Sequence, residues 1–148
     1  MSAFHEVIEV DRSPGEVWAY LSDPAHLPEW QRSAVSVEEM DDGPFGLGSR
    51  IRVTRIVRGR DMPMVMQVTE FEPPHAWSVR GIDGAVRGRV HGEVTPLPDG
   101  RTRVTVDLDF EAHGIGRLLL PLVVRPQVRR ELPENERLLK ERLEHATA

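Results

Sequence analysis

Hydrophobic and polar positions alternate in short runs along most of this chain. From Phe4 to Val10 the period is two, with Phe4, Ile8 and Val10 on one face, which predicts a strand. Ser13-Pro14-Gly15-Glu16 then has the form of a capping box, with serine at the N-cap, proline at the first helical position and glutamate three residues on. The helix it opens carries Val17, Trp18 and Leu21 at core spacing and should stop near Asp23-Pro24. A second short helix is expected over His26 to Trp30. Six further strands follow. They are marked by Val35 and Val37, by Ile51, Val53 and Val57, by Met64, Met66 and Val68, and by Trp77 and Val79. The sixth and seventh strands of the chain are marked by Val86 to Val94 and by Val104 to Phe110. Turn signals separate them at Asp41-Asp42-Gly43-Pro44, Gly59-Arg60-Asp61, Pro73-Pro74, Gly81 to Gly84, and Pro98-Asp99-Gly100.

One apolar and one polar face, over consecutive strands with short connections, predicts an antiparallel meander. From Ile115 to about Leu143 the composition is helical, with Pro121, Pro126 and Pro133 expected to kink or break it. Leu118, Leu122, Leu132, Leu139 and Leu143 are available as its buried stripe. A one-sided sheet must cover its apolar face, and this helix is the only long element that can do so. The predicted architecture is α+β. A curved antiparallel seven-stranded sheet wraps around a long C-terminal helix, with two short helices after the first strand, as a single domain over residues 1–148.

Length and composition narrow the function classes. The chain has 148 residues, 39% of them hydrophobic and 29% charged, which suits one globular domain and argues against disorder. It has no cysteine, which excludes a disulfide scaffold, a zinc–thiolate site, an iron–sulfur cluster and a cysteine nucleophile. The net charge of −5 disfavours a nucleic-acid partner. The arginine stripe Arg50, Arg52, Arg58, Arg87 and Arg89 is opposed by Glu93, Asp107 and Asp109 on neighbouring strands, so ordinary cross-strand pairing explains it. No signal peptide or integral membrane segment is visible, and a cytoplasmic location is expected. The six histidines fall on different elements with no metal-ligand spacing, and no phosphate loop, nucleophile elbow or dinucleotide fingerprint occurs. The expected cofactor set is therefore empty, with no metal.

Several segments together carry a family resemblance. They are Ser13-Pro14-Gly15-Glu16-Val17-Trp18, Leu21-Ser22-Asp23-Pro24, Leu27-Pro28-Glu29-Trp30, Gly48-Ser49-Arg50-Ile51, Val68-Thr69-Glu70-Phe71-Glu72-Pro73-Pro74, and Gly100-Arg101-Thr102-Arg103-Val104. In this order the chain resembles the START-related helix-grip superfamily (SRPBCC), in its polyketide cyclase/dehydrase-like branch. The matching positions are caps, turns and core residues, so they speak for the fold more than for an activity. What the resemblance implies is a deep apolar cavity between the sheet and the long helix, with Trp30 near its mouth. Where many relatives carry a histidine after that tryptophan, this chain has Gln31, which does not titrate.

The residues point to a cavity on their own terms. Gly88 and Gly92 share the apolar face of one strand with Val90, and two missing side chains leave room there, or else mark a bulge. Met64 and Met66 read either as plain core or as soft lining, and Val53 lies on the same apolar face of the sheet. Trp30 and Trp77 offer flat surfaces for a ring-bearing ligand, or pack as core. Leu118 and Leu122 would supply the helical wall. Strict alternation with Ile51 and Val53 points Arg55 inward, where it could meet a ligand carboxylate, phenolate or carbonyl; a bulge would instead turn it to solvent. Glu70 follows Met64, Met66 and Val68 on the inward face and is a candidate general base or a partner of Arg55; otherwise it is a strand-end carboxylate in water. Tyr20 is a candidate hydrogen-bond donor to substrate, or a half-buried helix residue. The glycine-rich loop Gly43 to Gly48 could form a lid.

Three functions of different classes fit these expectations. One is a polyketide cyclase/dehydrase-like protein that binds a hydrophobic, ring-containing small molecule. Another is a non-catalytic carrier or sensor of a lipid or hydrophobic metabolite. The last is an interaction protein docking through the C-terminal helix. A buried carboxylate and arginine converging in the cavity would favour the enzyme, and a wholly apolar cavity the carrier. A filled core with Leu118 to Val124 exposed would favour the interaction protein. Homodimerisation is left open by the sequence.

Overall fold

The computed structural model describes residues 3–145. Strand β1 (Phe4–Val10) is followed by helix α1 (Pro14–Leu21), a 3-10 turn (Pro24–His26) and the single-turn helix α2 (Leu27–Trp30). Six strands come next: β2 (Ala34–Glu39), β3 (Arg50–Val57), β4 (Arg60–Glu72), β5 (Ala76–Gly81), β6 (Val86–Pro96) and β7 (Thr102–Ala112). The C-terminal part comprises α3 (Gly116–Leu119), a π turn (Leu120–Val124) and α4 (Arg125–His145). All strand pairs are antiparallel, in the order β1-β7-β6-β5-β4-β3-β2. The meander and its helical cover are as the patterning predicts.

Local chemistry explains the element boundaries. The Ser13 hydroxyl caps α1 by accepting from the Glu16 amide, 3.4 Å away. Asp23 caps the 3-10 turn through the Ala25 amide, so the second predicted helix is split into that turn and α2. The β3–β4 connection is Arg58-Gly59, one residue earlier than the turn signal suggests, and Arg60 and Asp61 already belong to β4. Both turn residues have positive φ, 51° and 75°, as a two-residue turn matching the sheet's twist requires.

The C-terminal helix is continuous from Gly116 to His145 but changes pitch. Pro121 has no amide to donate, and the Arg125 amide reaches back to the Leu120 carbonyl, five residues away. Pro126 falls in the first turn of α4, and the helix runs through Pro133 without ending. The far end of α4 is held against the sheet. Leu139 and Leu143 pack with Val10, Val17, Trp18, Val94 and Val104 in the main core. The Asp11 amide donates to the Glu144 carboxylate at 3.0 Å, and the Arg12 guanidinium donates to the Glu144 carbonyl. A second core cluster of Ala34, Ile51, Val53 and Met66 lies under β2 to β4. Between the clusters, helix and sheet do not close on each other.

Candidate functional site

An apolar cavity of about 270 Å³ occupies this space, walled by the concave sheet face, by α2 and by α4. Ile51, Val53 and Arg55 line it from β3, Met62, Met64 and Met66 from β4, and Gly88 and Val90 from β6. Trp30 and Gln31 stand at the end of α2, and Phe45 enters the wall from the glycine-rich loop while neighbouring Leu47 stays exposed. An aromatic series closes one end. Phe45 meets Phe71 edge-on at 6.2 Å, Phe71 meets Trp18 at 5.5 Å, and Trp18 meets Trp77 at 6.1 Å.

The structure therefore brings together Trp30, Val53, Arg55, Met64, Met66, Trp77, Gly88 and Val90 around one space. The two glycines separate in role. A Cβ at Gly88 would meet nothing closer than Phe110, at 3.9 Å, so the vacancy there is real. A Cβ at Gly92 would lie 2.1 Å from the Trp77 ring. Trp77 pairs with Gly92 across β5 and β6 and folds over it. Gly92 is thus the seat of an aromatic wall residue and does not line the cavity.

Leu118 and Leu122 do not line the cavity either. They point outward, 64% and 66% exposed, and the helical wall comes instead from Val124, Gln127, Val128, Glu131, Leu132 and Leu139. From Leu118 to Val124 every residue is apolar, so this run has no polar side to mark its outer face.

Glu70 lies outside the cavity because of a β-bulge. The β4–β5 register shifts between Val68 and Glu70, which inverts the alternation so that Phe71 faces inward and Glu70 outward. On the outer face the Ser78 hydroxyl donates to Glu70 at 2.8 Å, and His91 Nδ1 lies 2.8 Å from that hydroxyl and 3.0 Å from the Glu70 carboxylate.

Tyr20 is buried between helices. Its ring stacks on His26 at 4.2 Å, and its hydroxyl donates to Glu29 at 2.8 Å. Burial first, then the Glu29 hydrogen bond and charge, raise its phenol well above the ordinary value of 10.0. Tyr20 is the only tyrosine of the chain, so its titration can be read without a variant. In an alkaline titration the ultraviolet phenolate band is expected to stay absent beyond that value, until the protein unfolds. Stability contributed by the neutral phenol is full below the unfolded pKa and lost as pH rises above it. A phenolate band growing in at the ordinary pKa, with the fold intact, would place Tyr20 in water.

Arg55 does face the cavity, as strict alternation on β3 requires. Its guanidinium donates to the Ser33 hydroxyl at 3.3 Å, the one hydrogen bond its five N–H donors make among the described residues. Desolvation lowers its pKa, and the charge of Glu131 on α4 partly counters this. Gln127, one turn before Glu131, donates to the Ile56 carbonyl of β3 at 2.9 Å and ties helix to sheet at this point. Ser33, Arg55, Gln127 and Glu131 thus form a polar corner in a mostly apolar chamber.

Sequence reasoning missed the acidic and amide residues of this lining. Glu6 could have been found from its alternation with Phe4 and Ile8. Gln127, Glu131, Asn135 and Glu136 interleave with the helical repeat Val124, Val128, Leu132 and Leu139 that faces inward. Burial pushes the Glu136 carboxyl up. Among the described residues no group of three or more His, Asp or Glu side chains could hold a metal ion, and no helix is long and apolar enough to cross a membrane.

Comparison with known proteins supplies the context. A family model described as "Polyketide cyclase / dehydrase and lipid transport" matches residues 1–144. Comparison with curated proteins finds no match. Among solved structures, TTHA0849 from Thermus thermophilus superposes with a TM-score of 0.78 at 18% identity, over 97% of this chain and 98% of that one. A START superfamily protein from Mycobacterium smegmatis gives 0.74 at 18% identity, over 97% and 98%. The Zhui aromatase/cyclase from Streptomyces sp. R1128 gives 0.74 at 16% identity, over 98% and 97%. At these identities the likeness is one of fold.

Proposed function

Because this chain belongs to the polyketide cyclase/dehydrase and lipid transport family and has its helix-grip fold, we propose that its cavity binds a hydrophobic, ring-bearing small molecule whose acidic or carbonyl oxygen meets Arg55. The observation that carries this reading is the pairing of an apolar chamber of about 270 Å³ with one under-used guanidinium inside it. Apolar walls supply affinity, and a single charged donor set supplies orientation.

The same corner suits cyclase-type chemistry. A guanidinium donating to a ketone oxygen stabilises the enolate formed when an α-proton leaves, and a carboxylate is the simplest acceptor for that proton. Glu131 is the carboxylate whose charge reaches Arg55. Glu70 and Tyr20, each engaged elsewhere, have no part in it. A carrier without catalysis is favoured by the mostly apolar surface of the lining.

The probe 1-anilinonaphthalene-8-sulfonate carries fused rings and one anionic group, and tests both features together. Fluorescence titration is expected to show one saturable site. Arg55→Ala should weaken it by roughly 30-fold, the worth of one charge-assisted hydrogen-bonded contact, with little change in melting temperature. Equal affinity in the variant, or a large loss of stability, would remove Arg55 as a ligand contact.

A further inference from the structure

The face that the cavity does not use carries its own signal. Ile115, Leu118 and Leu122 are 66%, 64% and 66% exposed and follow one another at helical spacing from the N-cap of α3 into the π turn. Isolated apolar residues on a surface are ordinary, but three on one short helical face form a patch. Exposed Arg117 lies within this stretch, and exposed Arg129 and Arg130 lie shortly beyond it. Residues 114–130 contain four arginines and no carboxylate, in a chain whose net charge is −5. None of these arginines has an ion pair among the described residues, whereas Arg50, Arg52 and Arg103 all do; Arg129 lies over the Phe4 ring, 6.0 Å from its centroid. The preceding carboxylate, Glu111, pairs with His113 at 2.9 Å.

We propose that this face docks the chain on an anionic lipid bilayer. Ile115, Leu118 and Leu122 enter the interface, and Arg117 and Arg130 meet the headgroup charge. A second copy fits less well, because a two-fold contact through this patch would set the unpaired arginines of one copy against those of the other. The inner side of the same segment adds a second observation. Leu119, Val123 and Val124 line a separate apolar cavity of about 130 Å³, which shares Val57, Met62, Met64, Val86 and Val124 with the main one. The segment is thus apolar on both sides, with the smaller cavity behind it and the docking face in front.

Vesicle co-sedimentation tests the proposal. The probes are vesicles of phosphatidylcholine alone and of phosphatidylcholine mixed with phosphatidylglycerol. The full chain is expected to pellet with the mixed vesicles, to be released by added salt, and to stay in solution with phosphatidylcholine alone. Arg117→Gln with Arg130→Gln should lower partitioning by roughly 30-fold, and Leu118→Ser with Leu122→Ser by roughly 10-fold or more. All four side chains are exposed, so both variants should keep the parent melting temperature and the parent affinity for the anilinonaphthalene probe. The proposal is overturned by a parent chain that ignores mixed vesicles at low salt, by equal binding to neutral vesicles, or by variants that pellet like the parent. A concentration-dependent dimer that Leu118→Ser with Leu122→Ser abolishes, without vesicle binding, would assign the face to a second copy and overturn it as well.

Discussion

Gly88→Leu is expected to abolish ligand uptake while leaving the fold intact. The glycine sits on β6 facing the chamber, and a new Cβ there makes only an ordinary contact with Phe110 at 3.9 Å. The rest of the leucine side chain must then extend into the space a ring would occupy. Affinity for the anilinonaphthalene probe should fall by roughly 100-fold, the equivalent of about 3 kcal/mol of lost contact. Stability should change by less than about 1 kcal/mol, because replacing glycine in a strand recovers unfolded-state entropy that offsets mild crowding. Titration and thermal melting of one preparation read both effects. Undiminished probe binding would move the ligand site away from β6.

Gly92→Ala, four residues along the same strand, is expected to do the opposite. Its Cβ would fall 2.1 Å to 2.5 Å from three atoms of the Trp77 ring, which is itself packed edge-on against Trp18. The indole cannot yield without disturbing Trp18, which belongs to the core beneath α1. A loss of about 3 kcal/mol, or about 10 °C in melting temperature, is the expected cost of such overpacking. A melting temperature within about 2 °C of the parent would show that Trp77 has another place to go.

These two glycines mark the limit of what alternation along a strand can reveal. Period two places both on the apolar face, and it does so correctly. It does not say that one cross-strand partner is a tryptophan lying over the glycine while the other leaves a gap, because that depends on pairing register and rotamer. Glu70 shows a second limit. One extra residue at the β4 bulge inverts every position after Val68, and nothing in Val68-Thr69-Glu70 announces it. Leu118 and Leu122 show a third. A helix segment apolar on all sides has no amphipathic phase, so its inner face is decided by the packing of its neighbours. Where the phase is clear the reading carries through. Arg55 faces inward on β3 as alternation requires, the serine cap opens α1, and β6 and β7 keep one face for the core along their length. The acidic residues of α4 were present in the pattern as polar positions inside an apolar stripe, legible once the stripe is phased on Val124, Val128 and Leu132.

The space between sheet and helix is proposed to be a ligand site and not a packing defect. Native and denaturing mass spectra of freshly purified protein, repeated after incubation with the anilinonaphthalene probe, test it most directly. One stoichiometric extra mass is expected in the native spectrum, either retained through purification or acquired from the probe, and lost on denaturation. Gly88→Leu is expected to carry neither. A bare chain mass under both conditions would contradict it.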